Sequence, residues 1–160
     1  MKNINLIKLF LCLTLVVGFT SCDEGGEPDP GQTAIVEMAG DWVVNITRDG
    51  ADFNHAAIST YNTSDNGTTQ MWLDDNQEGW GLKTKVNVDL ANKTFSGTDL
   101  PEVYFDVTVT ISDAKIIPNG VTAPSGTVVD SITFNAVFSD IPDEVWVYSG
   151  HKRTGFLEDE

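Results

Sequence analysis

The 160-residue sequence predicts an all-β fold, an antiparallel up-and-down barrel of about eight strands. Three observations carry this. From about residue 38 onward, runs rich in Val, Ile, Thr, Tyr, Phe and Trp are punctuated by Gly, Asn and Asp clusters at short spacing. Several runs alternate apolar and polar with the period of two that a half-buried strand requires, and helical signals are scarce. The strands are expected at 41–48, 56–62, 68–74, 80–89, 93–97, 103–112, 128–139 and 144–150, with a last extended piece near 154–156.

The individual runs justify that division. Trp42, Val44 and Ile46 fall on one face of the first strand, and Ile132, Phe134, Ala136 and Phe138 on one face of the seventh. In the sixth, Val103, Phe105, Val107, Val109 and Ile111 share a face that Tyr104 opposes. Asp49-Gly50, Asn66-Gly67 and the stretch 89–93 supply residues that tolerate the positive φ of tight turns, so consecutive strands are expected to be neighbours. The same strands fit a sandwich. A barrel is favoured because closure removes the exposed edges that invite aggregation.

The first segment reads as an address. Lys2 and Lys8 precede an apolar run from Leu9 to Val17, and Gly18-Phe19-Thr20-Ser21 then leads to Cys22, the three-part layout of an export signal. The run is too short for a membrane span of about 20 residues. The site at Cys22 resembles the bacterial lipoprotein box, in which the Cys is lipid-modified and becomes the mature N-terminus, although Phe19 stands where Leu is usual. This divides the chain into a lipoprotein signal peptide at 1–21, a lipid-anchored acidic tether at 22–37 and a single barrel domain at 38–160. The tether opens with four acids and two Pro over residues 23–31 and no apolar side chain, a composition that cannot bury surface. Acidic residues directly after the Cys resemble an export signal to the outer face of the outer membrane, with the periplasmic face as the alternative.

Charge and composition exclude whole classes of function. Nine Lys plus Arg stand against 24 Asp plus Glu, a net of -15, and loss of residues 1–21 deepens it by removing Lys2 and Lys8 and no acid. Nucleic acid is excluded, since its binding depends on cations that neutralise phosphates. With Cys12 gone, Cys22 is the only thiol left, so no internal disulfide, cysteine nucleophile or Cys-based metal site is expected. No cofactor is implied. Asp74-Asp75-Asn76-Gln77-Glu78 is the densest group of oxygen ligands. It lacks the spacing of a calcium loop and reads equally as a solvated turn, so no metal site is assigned. His55 and His151 are the only imidazoles, and no Gly-x-Ser-x-Gly elbow occurs. No catalytic residue is assigned, and an eight-stranded barrel interior, wide enough for packed side chains or one small ligand, permits binding without requiring it.

Gly40-Asp41-Trp42 at the start of the first strand is similar to the lipocalin signature Gly-x-Trp. In that fold the Trp closes one end of the barrel under a basic residue near the C-terminus, a role the resemblance gives here to Arg153 across Trp42. The ordered set 39–42, 60–63, 71–75, 83–86, 94–96 and 150–156 resembles a family of small bacterial lipoproteins described as lipid-binding putative hydrolases. That resemblance implies a lipocalin-like (calycin-type) barrel and a hydrophobic small-molecule or lipid ligand, and it offers no catalytic motif to carry over. Trp42, Tyr61, Trp72, Trp80, Phe105, Phe134 and Phe138 are the residues expected to line the cavity or core. The alternative is a surface protein that captures a glycan on Trp80 or Trp146, or that assembles with other lipoproteins. An esterase is a third reading.

Overall fold

The alternating runs form eight strands that pair in chain order and then close, the last against the first. The computed structural model describes residues 31–160; the expected signal segment, Cys22 and the start of the tether lie outside them. The strands are β1 (Gly40–Arg48), β2 (Ala51–Asn62), β3 (Gln70–Asp74), β4 (Lys83–Asp89), β5 (Thr94–Pro101), β6 (Thr108–Thr122), β7 (Val128–Phe138) and β8 (Trp146–Lys152). Every neighbouring pair is antiparallel. The result is a closed up-and-down barrel, as the sequence predicts. Alternate residues point inward, so Trp42, Val44 and Ile46 of β1, Ile132, Phe134, Ala136 and Phe138 of β7, and Trp146 and Tyr148 of β8 meet in one core.

Bulges account for most differences in strand limits. Ile46 pairs with Asn54 and Thr47 with Asp52, which leaves Phe53 as an extra residue in β2 and carries that strand back to Ala51. Between β6 and β7, Ser112 pairs with Asn135 and Lys115 with Thr133, so Asp113 and Ala114 together face Phe134. Asp113 takes a left-handed φ of 50° there, and the inward positions switch from Val109 and Ile111 to Ala114 and Ile116. Residues 103–107 form the connection before β6 rather than its first half. The piece expected near 154–156 is not a strand, and it leads into a 3₁₀ turn at Leu157–Asp159.

Up-and-down topology puts the connections 49–50, 75–82, 102–107 and 139–145 at one end and 63–69, 90–93 and 123–127 at the other, with both flanking segments. That second end is closed. A 3₁₀ turn at Val36–Met38 lies across it, with Ile35 and Met38 fully buried beneath Trp42. Ala34 N–H donates to Asn66 Oδ1 at 3.0 Å, and Glu37 pairs with Lys93. On the other side, the Asp159 carboxylate accepts hydrogen bonds from Ser125 N–H, the Ser125 hydroxyl and the Thr154 hydroxyl, each at 2.6 Å.

The seam between β8 and β1 depends on Gly150. A Cβ at that position would stand 1.9 Å from the Val43 carbonyl oxygen, so only a residue without a side chain lets the two backbones close. Gly150→Ala is expected to lower unfolding stability by about 3 kcal/mol, the upper range for forced overpacking. A urea midpoint equal to that of the parent protein would contradict this account of the seam.

Candidate functional site: the aromatic mouth of the barrel

The end of the barrel opposite the closed one is built from side chains that the connections fold over the core. Trp146, fully buried, sits at its centre, with Trp80 at 4.8 Å, Phe53 at 4.7 Å and Phe138 at 6.4 Å between ring centroids. Below it Tyr148 stacks on Phe134 at 4.5 Å and 10°. Phe53 reaches this group because the β2 bulge re-aims it. Phe53, Trp80 and Phe105 are 41 %, 37 % and 53 % exposed, and Val103 and Val145 extend the apolar rim. Among the described residues, five other exposed large apolar side chains, Val36, Ile117, Val128, Phe156 and Leu157, lie toward the closed end.

A single carboxylate shapes the loop that carries Trp80. Asp75 is buried; its Oδ1 accepts Gln77 N–H at 3.0 Å and its Oδ2 accepts Gly81 N–H at 2.8 Å. Burial raises its pKa despite those bonds. Gly81 has φ of 98°, and a Cβ there would stand 2.6 Å from the Phe105 ring, so this glycine provides both the turn and the bed for Phe105. Glu102 completes the rim by accepting Lys83 N–H at 2.8 Å and Phe105 N–H at 2.5 Å. The loop also serves as a substitute strand along β2: Ala57 N–H donates to Glu78 Oε2 at 3.1 Å, and Asn76 Nδ2 donates to the Ala57 carbonyl at 3.2 Å.

Two buried donors at the mouth stand apart. Trp146 Nε1–H and the Tyr148 O–H find no acceptor in the protein, and the Tyr148 oxygen faces only a donor, the Trp80 backbone N–H. Burial, then the nearby Asp75 charge, holds the Tyr148 phenol well above its ordinary range, so it keeps its proton at any physiological pH. At the closed end the arrangement is complete. Trp42 Nε1 donates to Thr60 Oγ1 at 2.9 Å, and the Thr60 hydroxyl donates to the Met38 carbonyl at 2.7 Å.

The structure divides the seven residues expected to line a cavity. Trp42, Phe134 and Phe138 are interior, and Trp80 and Phe105 form the rim. Tyr61 and Trp72 are corrected to the outer wall: they pair across β2 and β3, stacked at 6.4 Å, because alternation turns them away from Thr60, Met71 and Leu73. Lys83 and Lys85 lie 5.7 and 5.0 Å from the Trp72 ring centroid. The expected latch is also corrected by one residue. Lys152, the cross-strand partner of Trp42, holds its Nζ 5.8 Å from that ring, while Arg153 Nε donates to Glu160 at 2.7 Å. Gly40 of the Gly-x-Trp signature gives the Lys152 stem its path, since a Cβ there would lie 2.8 Å from Lys152 Cε. Trp146 has no face free for a sugar.

Sequence reasoning missed Phe53, hidden by the bulge, and the pairing of Trp146 with Tyr148 as orphan donors. Two inward aromatics at i and i+2 on one strand are a signal for the latter. Asp74 and Asp75 are not a solvated turn; both carboxylates are occupied within the fold. Among the described residues no group of three or more His, Cys, Asp or Glu side chains is placed to hold a metal ion. His55 is exposed opposite Asn45, and His151 Nδ1 lies 3.1 Å from the Lys152 carbonyl oxygen. A cleft of about 430 Å³, lined by Asn45, Ile46, Asp52, Phe53, Asn54 and His55, opens at the β1–β2 bulge beside the mouth.

Residues 27–157 match the family model described as a lipid-binding putative hydrolase. The chain belongs to this lipid-binding family. Comparison with curated proteins gives no match. The ordered motifs of the family resemblance fall where they build the barrel: 39–42 at the closed end, 71–75 and 83–86 flanking the Trp80 loop, and 150–156 at the seam.

Asp74 fixes the ends of β3 and β4 that hold this loop. It accepts hydrogen bonds from Lys83 Nζ at 2.6 Å, Tyr104 Oη at 2.6 Å, Tyr61 Oη at 2.8 Å and Asn76 N–H at 2.9 Å. Burial alone would raise its pKa, but Lys83 and the other donors outweigh it and hold it below 3.8. The Tyr104 phenol is pushed up to about 12, by burial and then by its bond to Asp74. A depressed carboxylate stabilises the fold above its unfolded pKa, and that contribution is lost as pH falls through the folded value. Asp74→Asn is therefore expected to cost about 2 kcal/mol at neutral pH, the worth of hydrogen bonds to a charged group. The gap to the parent protein should narrow below about pH 4, as read by urea midpoints; a gap that stays constant into acid would contradict the assignment.

Proposed function

We propose that this protein is a lipid-anchored outer-membrane lipoprotein whose barrel binds a hydrophobic small molecule, a lipid or fatty-acid derivative, at its mouth and performs no chemistry on it. The observation that carries the reading is the aromatic mouth. Phe53 and Trp80 are exposed and pack on the buried Trp146, and the exposed Phe105 lies against Gly81 of the Trp80 loop, at the end of the barrel opposite the described terminal segments. Exposed apolar surface rimmed by polar groups marks a binding site, and membership of a lipid-binding family supports the same ligand class. For the word hydrolase the family description is the sole support: alternation along β2 and β8 turns His55 and His151 away from the mouth and onto the outer wall.

Anchoring through Cys22 is part of the proposal and is supported by the sequence signature. The acidic residues after Cys22 support the cell-surface side of the outer membrane over the periplasmic side.

Native mass spectrometry of the protein purified from a bacterial lysate, followed by organic extraction, is expected to reveal a co-purifying lipid in substantial stoichiometry. A bare protein mass that also fails to shift with added lipid would overturn the binding reading. Cys22→Ser is expected to abolish incorporation of a labelled fatty acid and to move the protein out of the membrane fraction. Retention of the label by that variant would sink the anchoring assignment and leave the barrel reading standing.

A further inference from the structure

A tryptophan indole donates one hydrogen bond and accepts none, and a phenol too buried to ionise offers its proton to an acceptor. Trp146 Nε1 and Tyr148 Oη are two such donors, two residues apart on β8, both on fully buried side chains and both without an acceptor for their proton. Buried donors are nearly always paired in native proteins. Here the closed end obeys that rule through Trp42 and Thr60, while the mouth breaks it twice in one place. The missing partner is therefore an acceptor that arrives from outside.

The charges around the mouth limit what that acceptor is. The four connections at this end, 49–50, 75–82, 102–107 and 139–145, contain eight Asp or Glu and no Lys, Arg or His. Two cations lie at the adjoining strand ends, and both are engaged: Arg48 places its Cζ 5.7 Å over the Trp146 ring with Nη1 3.9 Å from Glu144, and Lys83 is paired with Asp74. The buried Asp75 adds negative charge close to Tyr148. A carboxylate or phosphate entering this field is repelled, whereas an uncharged oxygen is not.

We propose that the ligand of the mouth leads with an uncharged hydrogen-bond acceptor, the carbonyl oxygen of an ester, amide or ketone, received by Trp146 Nε1–H and Tyr148 Oη–H. The proposal rests on the reading of the mouth as a lipid site and names the chemical class of that lipid. The head enters by displacing the Trp80 indole from Trp146, and the apolar body lies among Phe53, Trp80 and Phe105. Neutral acyl esters fit this description. Free fatty acids and phospholipids led by their charged groups do not.

Three chain-matched probes test it: dodecane, methyl laurate and laurate, titrated at neutral pH into the full-length protein and followed by tryptophan fluorescence. Methyl laurate is expected to bind roughly tenfold more tightly than either of the others, the worth of one well-made hydrogen bond. Tyr148→Phe is expected to bring methyl laurate close to the dodecane affinity while the free protein stays folded, since it deletes a hydroxyl whose proton has no acceptor. If Tyr148→Phe fails to fold, Trp146→Phe is read in the same way. Equal binding of all three probes, or an ester preference that survives Tyr148→Phe, overturns the headgroup proposal and leaves lipid binding intact. Tightest binding of laurate also overturns it, and points to Arg48. Failure of all three to bind overturns both readings.

Discussion

Closure of the sheet at the β1–β8 seam is the constraint on which everything else in this molecule depends, because a barrel short of one pairing is a curled sheet with two raw edges. The seam runs from Trp42 opposite Lys152 to Arg48 opposite Trp146, and its tightest point is Gly150 against the Val43 carbonyl. One side of the seam supplies the floor, Trp42 under Lys152. The other supplies the centre of the mouth, Trp146 under Arg48. Register along this single strand pair thus sets both ends at once: a slip of β8 by one residue would turn Trp146 out of the core and take Lys152 off Trp42.

The two ends use the same residue type in opposite ways. Trp42 is hydrogen-bonded through Thr60 to the first 3₁₀ turn and sealed by Ile35 and Met38. Trp146 is just as buried, yet its indole N–H faces no acceptor and its cover, Trp80, rests on a loop held by the raised carboxylate of Asp75. A buried unpaired donor costs stability, so the barrel carries a local deficit at the mouth that the floor does not share. Binding sites commonly sit where such deficits are retained.

Legibility in the sequence followed periodicity. Wherever a strand is unbroken and its alternation clear, as in β1 and β7, the pattern identified the inward residues, and the scarcity of helix signals with regular turn residues identified the barrel. It failed at irregularities. The bulge that frees Phe53 and the one at Asp113 each change which residues face inward, and no propensity marks them. The choice between Lys152 and Arg153 for the floor is one of parity, decided by the register with Trp42 rather than by charge. Tyr61 and Trp72 look like core residues by type and stand outside because neighbours at alternate positions fill the interior. The Asp74–Asp75 pair reads as a wet turn because composition does not reveal that both carboxylates have internal donors waiting for them.

An even number of strands brings the chain back to the rim from which it started. The segment before β1 and the segment after β8 both leave at the sealed end, strapped there through Asn66 and Ser125. A purification handle, a fluorescent partner or a chemical linker to a solid support placed on either segment is therefore attached at the end of the barrel away from the aromatic mouth. A sensor chip bearing this barrel by its C-terminal segment would hold it by the sealed end, with no attachment chemistry near Trp80.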